Sequence, residues 1–106
     1  MDKLVEIKSV EEFEKAKIGK TIFMFTANWC PDCMFVKPFI GDIVVANPEF
    51  KFYVVNRDDL LDLCKSLDIL GIPSFIAYSD EVEIGRFVSK FRKTEDEIQG
   101  FIDSLK

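Results

Sequence analysis

The sequence predicts an α/β fold: a central mixed sheet of four to five strands with helices on both faces, in the order β-α-β-α-β-α-β-β-α. Three observations support it. Residues 21–26 and 50–55 are nearly all apolar and rich in β-favouring types, as in strands covered on both sides. Stretches with helical spacing of apolar residues separate these runs from each other and from the later strands. Finally, the polar turn Ser79-Asp80-Glu81 joins the last two strand-like segments as a hairpin.

Residues 4–7 read as a short first strand. Ser9 stands three residues before Glu12, a capping-box spacing that opens a helix through about residue 17, and Gly19 ends it. After the central strand 21–26, Phe35 and Val36, Phe39 and Ile40, then Ile43 and Val44 recur at spacings of three and four. Pro38 falls inside this helix. It removes a backbone donor and should kink the helix without ending it, because the apolar stripe continues beyond. Asn47-Pro48 turns the chain into strand 50–55. Asp58 or Asp59 caps the next helix, with Leu60, Leu63, Cys64 and Leu67 on one face, and Gly71 terminates that stretch. Ile72-Pro73-Ser74 leads into strand 75–78, and the hairpin returns along 83–88. Thr94 and the acidic residues after it open an amphipathic closing helix carrying Ile98, Phe101, Ile102 and Leu105 on one face.

With 106 residues, 48% of them hydrophobic, the chain 1–106 is expected to form a single domain. Folding at this length removes roughly 60 to 70% of the chain's surface from water, enough for a core without cross-links or metals. A formal charge of -5 argues against nucleic acid and against anionic lipid, both of which reward positive charge. The acidic start, Met1-Asp2-Lys3-Leu4, is not a signal-peptide core, and no later run approaches the ~18 apolar residues of a membrane span. Three cysteines, two of them in one CxxC, do not make the even set of a disulfide-stapled secreted domain. A cytoplasmic monomer is the expectation.

The chemistry lies in Trp29-Cys30-Pro31-Asp32-Cys33, between a buried strand and a helix start. First-turn amides and the helix dipole favour a thiolate at Cys30. Cys33 lies one turn on, and positions i and i+3 share a face, so its sulfur can reach Cys30 and resolve a mixed disulfide. Pro31 suits the first turn, where the donor it lacks has no intrahelical acceptor. Zinc is the rival reading, but it takes four Cys or His ligands, and this chain has one spare cysteine and no histidine. A CxxC without chemistry is also disfavoured, since two thiols at a helix start beside a tryptophan are poor core filler.

Three landmarks together resemble the thioredoxin family: the WCPDC motif, Pro38 five residues after Cys33, and Ile72-Pro73-Ser74 before the last hairpin. The resemblance covers the whole chain in element order, and Pro31-Asp32 in place of the usual Gly-Pro is similar to the small cytosolic thioredoxin-related proteins. It implies that Cys30 attacks and Cys33 resolves. It implies further that Trp29, Pro31, Ile72 and Pro73 form an apolar substrate rim, with Pro73 cis and the Ile72 backbone pairing with an extended substrate. Read without the resemblance, Ile72-Pro73 is a plain strand-entry turn.

Departures from the family pattern bear on mechanism. The aspartate and lysine that usually relay a proton for Cys33 correspond to Met24 and Val54, which exchange none. Asp32 is the nearest base in sequence, directly or through water, and it equally suits the first turn as a dipole-stabilising carboxylate. Its charge beside Cys30 opposes the helix effect and leans the pair toward reduction. Ser89 stands near the place of a late family glycine. Cys64, among leucines, reads as a buried small hydrophobe, with a regulatory thiol as the alternative. Lys90, Arg92 and Lys93 read as a solvated loop, with docking to an acidic partner as the minor account.

The leading function is a thiol–disulfide oxidoreductase that reduces protein or small-molecule disulfides and is restored by an external reductase or low-molecular-weight thiol. It requires no prosthetic group. A redox-sensitive binding module with slow or no turnover is the alternative. An oxidase or isomerase is disfavoured by Asp32 and the absent leader.

Overall fold

A computed structural model describes residues 3–106; Met1 and Asp2 lie outside the described residues. The elements are β1 (Val5–Ile7), α1 (Val10–Ala16), β2 (Lys20–Thr26), α2 (Pro31–Ala46), β3 (Lys51–Asn56), α3 (Leu61–Ser66), β4 (Ser74–Ser79), β5 (Val82–Phe87) and α4 (Glu95–Ser104). This is the order read from the sequence. The five strands form one mixed sheet in the order β1-β3-β2-β4-β5. β1, β3 and β2 run parallel, and β4 is antiparallel to both of its neighbours, β2 and β5.

Strand side chains alternate between faces, so β2 feeds two cores. Ile22 and Met24 join Phe52, Phe75 and Ala77 against Val36, Ile40 and Ile43 of α2 and Ile98 and Ile102 of α4. Phe23 and Phe25 join Val55, Ile76 and Tyr78 against Phe13 of α1 and Leu63 and Cys64 of α3. Phe23 is the hub of that second face, with ring centroids 4.7 Å from Phe13, 5.1 Å from Tyr53 and 5.6 Å from Tyr78. Helices on both faces are thus required by strands that are apolar on both.

Helix α2 continues through Pro38. Asn47, fully buried at its end, ties α2 to α4 through Nδ2 to the Ile43 carbonyl and to Gln99 Oε1, both at 2.8 Å. The Ser9 hydroxyl caps α1 by accepting from the Glu12 amide, but the Glu12 carboxylate reaches back to the Lys8 amide, one residue earlier than a capping box requires. Thr94 and Glu97 form the full box at α4.

The cap of α3 departs from expectation. Neither Asp58 nor Asp59 caps it; the N-cap is Leu60, with no side-chain bond. Asn56, at the end of β3, accepts from the amides of Asp58 (2.9 Å) and Asp59 (3.2 Å) in an Asx turn, and the helix starts only beyond it, at Leu61. Gly71 does not end α3, which stops at Ser66. Its role is a close approach: a Cβ there would lie 2.1 Å from the Ser89 carbonyl oxygen. That contact packs the loop before β4 against the loop after β5.

The β4–β5 turn is locked onto the end of α1. Asp80 and Glu81 both take positive φ, 47° and 74°, as a two-residue hairpin loop demands. Asp80 Oδ1 accepts from the Gly19 amide at 2.8 Å, and the Glu81 amide donates to the Lys17 carbonyl at 2.8 Å.

Candidate redox site

Strand β2 ends at Thr26, and Ala27, Cys30 and Cys33 form a small buried cluster with Ile72 packed on it. Cys30 is the N-cap of α2 and Pro31 stands in its first turn. The Cys33 amide donates to Cys30 Sγ at 3.3 Å, so the sulfur takes the place that a serine or aspartate oxygen fills at other helix starts. That amide favours a sulfur carrying negative charge. The Cys30 thiol donates to the Ile72 carbonyl at 3.6 Å. The pair is present as two free thiols.

Cys33 lies deeper, one turn into α2. Burial, and then the neighbouring Cys30 thiol, push its pKa up to about 11, against opposing pulls from the Thr26 hydroxyl and the Ala27 backbone. It is therefore held as a neutral thiol near pH 7. A cavity of about 30 Å³ lies against it, lined by Thr26, Asn28, Met34 and Lys37 among others, with room for a water molecule. Met24 and Val54 sit in the core below and bring no proton-exchanging group.

The Ile72–Pro73 peptide is cis, as the resemblance implied. Trp29 and Pro31 are exposed, Ile72 is half-buried, and Pro73 lies buried beneath the rim. Trp29 is fixed by its Nε1 donating to Asp58 Oδ2 at 2.8 Å, with the Arg57 guanidinium 5.9 Å from its ring. This bond explains where the expected helix-capping aspartate went.

Asp32 is drawn sideways. Its Oδ1 accepts from Arg92 Nε at 2.9 Å, and that guanidinium lies 4.5 Å from the centre of the Phe35 ring. Capping falls to Cys30, so Asp32 keeps only its general place in the first turn.

The basic loop is where the sequence reading fails. Lys90 and Arg92 are exposed, but Lys93 is 1% exposed, its ammonium donating to the carbonyls of Ser89 (3.2 Å) and Phe91 (3.0 Å). A signal existed: Lys93 immediately precedes the N-cap Thr94, the position whose side chain usually folds inward onto the first turns of the helix. Reading the three basic residues as one charged cluster hid it. Cys64, by contrast, behaves as expected: buried, with its thiol pushed up by that burial. Among the described residues no group of three or more His, Cys, Asp or Glu could hold a metal ion.

Comparison with known proteins places this geometry. A family model described as Thioredoxin matches residues 2–101. The chain belongs to the thioredoxin family. Thioredoxin H-type from Fagopyrum esculentum is 36% identical over 87 residues, covering 80% of this chain and 74% of that protein. Thioredoxin H1 from Arabidopsis thaliana is 30% identical over 94 residues, covering 87% and 80%. The crystal structure of thioredoxin from Trypanosoma brucei brucei, 22% identical, covers 96% of this chain and 89% of its own with a TM-score of 0.85, a likeness of fold. A Plasmodium falciparum thioredoxin structure at 18% identity gives 0.86 over 97% and 100%. As a member of that family the protein is a thiol–disulfide oxidoreductase with a redox-active CxxC, acting on disulfide substrates with a reductant partner. Among its described residues no helix is long and apolar enough to cross a membrane.

Proposed function

We propose that the protein works as a disulfide reductase in which Cys30 attacks and Cys33 resolves. The observation that carries this is the Cys30 sulfur itself, receiving the Cys33 amide at 3.3 Å beside the Ile72 carbonyl at 3.6 Å. The Cys30 thiolate attacks one substrate sulfur, a mixed disulfide forms, and the other substrate sulfur leaves as a thiolate. Cys33 then loses its proton and attacks Cys30 Sγ. The internal disulfide closes, the second substrate thiol is released, and two electrons have passed to the substrate. An external thiol reductase or low-molecular-weight thiol restores the pair. Once Cys30 is a thiolate it no longer donates to Ile72, and the freed carbonyl can accept from an extended substrate lying over Trp29, Pro31 and Ile72, with Pro73 beneath.

Asp32 takes the Cys33 proton through water in this scheme, supported by its place one residue before Cys33 and by Arg92, which holds its carboxylate still. The cavity beside Thr26 favours a second exit, from Cys33 to a water against the Thr26 hydroxyl. Residues 1–106 act as one domain, as a monomer in the cytoplasm, passing electrons from the donor to a disulfide-containing protein. Insulin reduction with dithiothreitol tests the reading. Wild type should far outpace Cys30→Ser and Cys33→Ser, and Cys33→Ser should accumulate a mixed disulfide; equal rates sink it. Asp32→Asn should slow resolution at pH 6 to 7, and an unchanged pH profile would transfer the proton to the Thr26 side.

A further inference from the structure

Lys93 is a full positive charge placed where an apolar side chain would serve the fold better. The position before an N-cap normally carries a hydrophobic residue that packs on the fourth residue of the helix, here Ile98, which is fully buried. Burying an ammonium costs several kcal/mol unless charges nearby offset it. Its two hydrogen bonds go to uncharged carbonyls, and its third neighbour is the face of the Phe87 ring, 5.3 Å from the centroid.

The charged and titratable groups whose fields act on it explain the choice. These are Asp32 and Cys33 of α2, Cys30 at its N-cap, and Glu97 of α4. Burial lowers the Lys93 pKa and these four groups raise it, Asp32 most. The loop that carries Lys93 is pinned on both sides of the motif: Ser89 abuts Gly71, one residue before Ile72, and Arg92 is paired with Asp32. The ammonium is therefore bonded to Ser89 in a buried loop fixed against Gly71, next to the Ile72 carbonyl that meets Cys30, with little water to screen it.

We infer that Lys93 is a positioning residue for the redox reaction, a buried cation that stabilises the thiolate state of the reduced Cys30–Cys33 pair and offsets the Asp32 charge inside the motif. The inference rests on the reading of Cys30 and Cys33 as the exchanging pair. Arg92 acts on Asp32 from the solvent side and Lys93 from the interior. Together they answer how a carboxylate is tolerated next to a nucleophilic sulfur when Met24 and Val54 supply no charge from below.

The test is equilibration of the full-length protein in glutathione redox buffers, with Lys93→Met, Lys93→Gln and Lys93→Arg beside wild type. Loss of the cation destabilises the thiolate and hence the reduced form, so the pair becomes more reducing. In both Lys93→Met and Lys93→Gln the equilibrium constant should shift by roughly three- to tenfold, at most about 30 mV. Iodoacetamide should alkylate Cys30 more slowly at pH 7 by a similar factor, and Lys93→Arg should restore both. Glutamine keeps an N–H donor for the loop carbonyls without the charge. A shift confined to Lys93→Met would therefore reduce Lys93 to a loop clasp and overturn the inference, as would an unchanged constant in both neutral variants. Should wild type fail to reduce insulin while the constant still shifts, the reductase reading fails and the inference stands.

Discussion

Cys30, Cys33 and Cys64 are almost equally hidden, at 5%, 3% and 2% exposure, yet they occupy different chemical worlds. Cys64 lies within α3 against the phenylalanine face of the sheet, and among the described residues its sulfur has no hydrogen-bond partner. Cys30 lies at a helix start, accepts an amide, donates to a carbonyl and has a second sulfur one turn away. Burial alone therefore does not make a thiol inert. What separates the two sites is whether polar groups are aimed at the sulfur, since a thiolate in a partly dry site is stable only where dipoles meet it.

The largest test of this contrast is activity. Cys30→Ser or Cys33→Ser should lower insulin reduction by roughly 100-fold or more, because each removes a bond-forming atom. Cys64→Ala should leave it within twofold. A Cys64 variant as damaged as Cys30→Ser would break the contrast.

Alkaline pH separates the thiols by state. The Cys33 pKa is raised in the folded chain from an ordinary 9.0 to about 11, so its contribution to stability is full below pH 9 and is lost as pH rises toward 11. Between pH 8 and 10.5 reduced wild type should lose roughly 2 kcal/mol more than reduced Cys33→Ser, which lacks that thiol and keeps Cys30. Urea unfolding of both proteins at the two pH values reads this difference. Cys64 and Tyr78 are also raised by burial, but they are present in both proteins and cancel.

A smaller effect comes from the loop that holds the Ile72 carbonyl. Gly71→Ala must push the Ser89 backbone away, and activity should fall about tenfold, with roughly 1 to 3 kcal/mol lost in stability. Cys64 labelling under mild denaturant should change only in step with that stability. The smallest effect belongs to Cys64 itself: Cys64→Ala should cost about 1 kcal/mol by thermal unfolding, as loss of one buried atom from a packed face does. A gain in stability would show that the face is overpacked there.

The local reading of the chain was accurate where one element's own residues hold the information. The strand runs 21–26 and 50–55, the apolar stripes of α2 and α4, and Ser9 and Thr94 as caps all depend on neighbours within a turn or on the alternation of a strand. The Cys30–Cys33 placement belongs to the same class, since strand end and helix start are both local. Asp58 does not cap α3 because its carboxylate is taken by the Trp29 indole, 29 residues away, a contact that periodicity cannot report.

What the sequence by itself determined is the order of elements, the two-sided apolar strands and the redox pair at the head of a helix. Only the tertiary structure decided what surrounds that pair. Trp29 bonds to Asp58 across 29 residues, Asp32 pairs with Arg92 across 60, and Lys93 turns inward onto a core assembled from distant elements. Periodicity reports which side of its own element a residue faces, whereas the charge environment of a sulfur is set by whichever loops the folded sheet brings to its end.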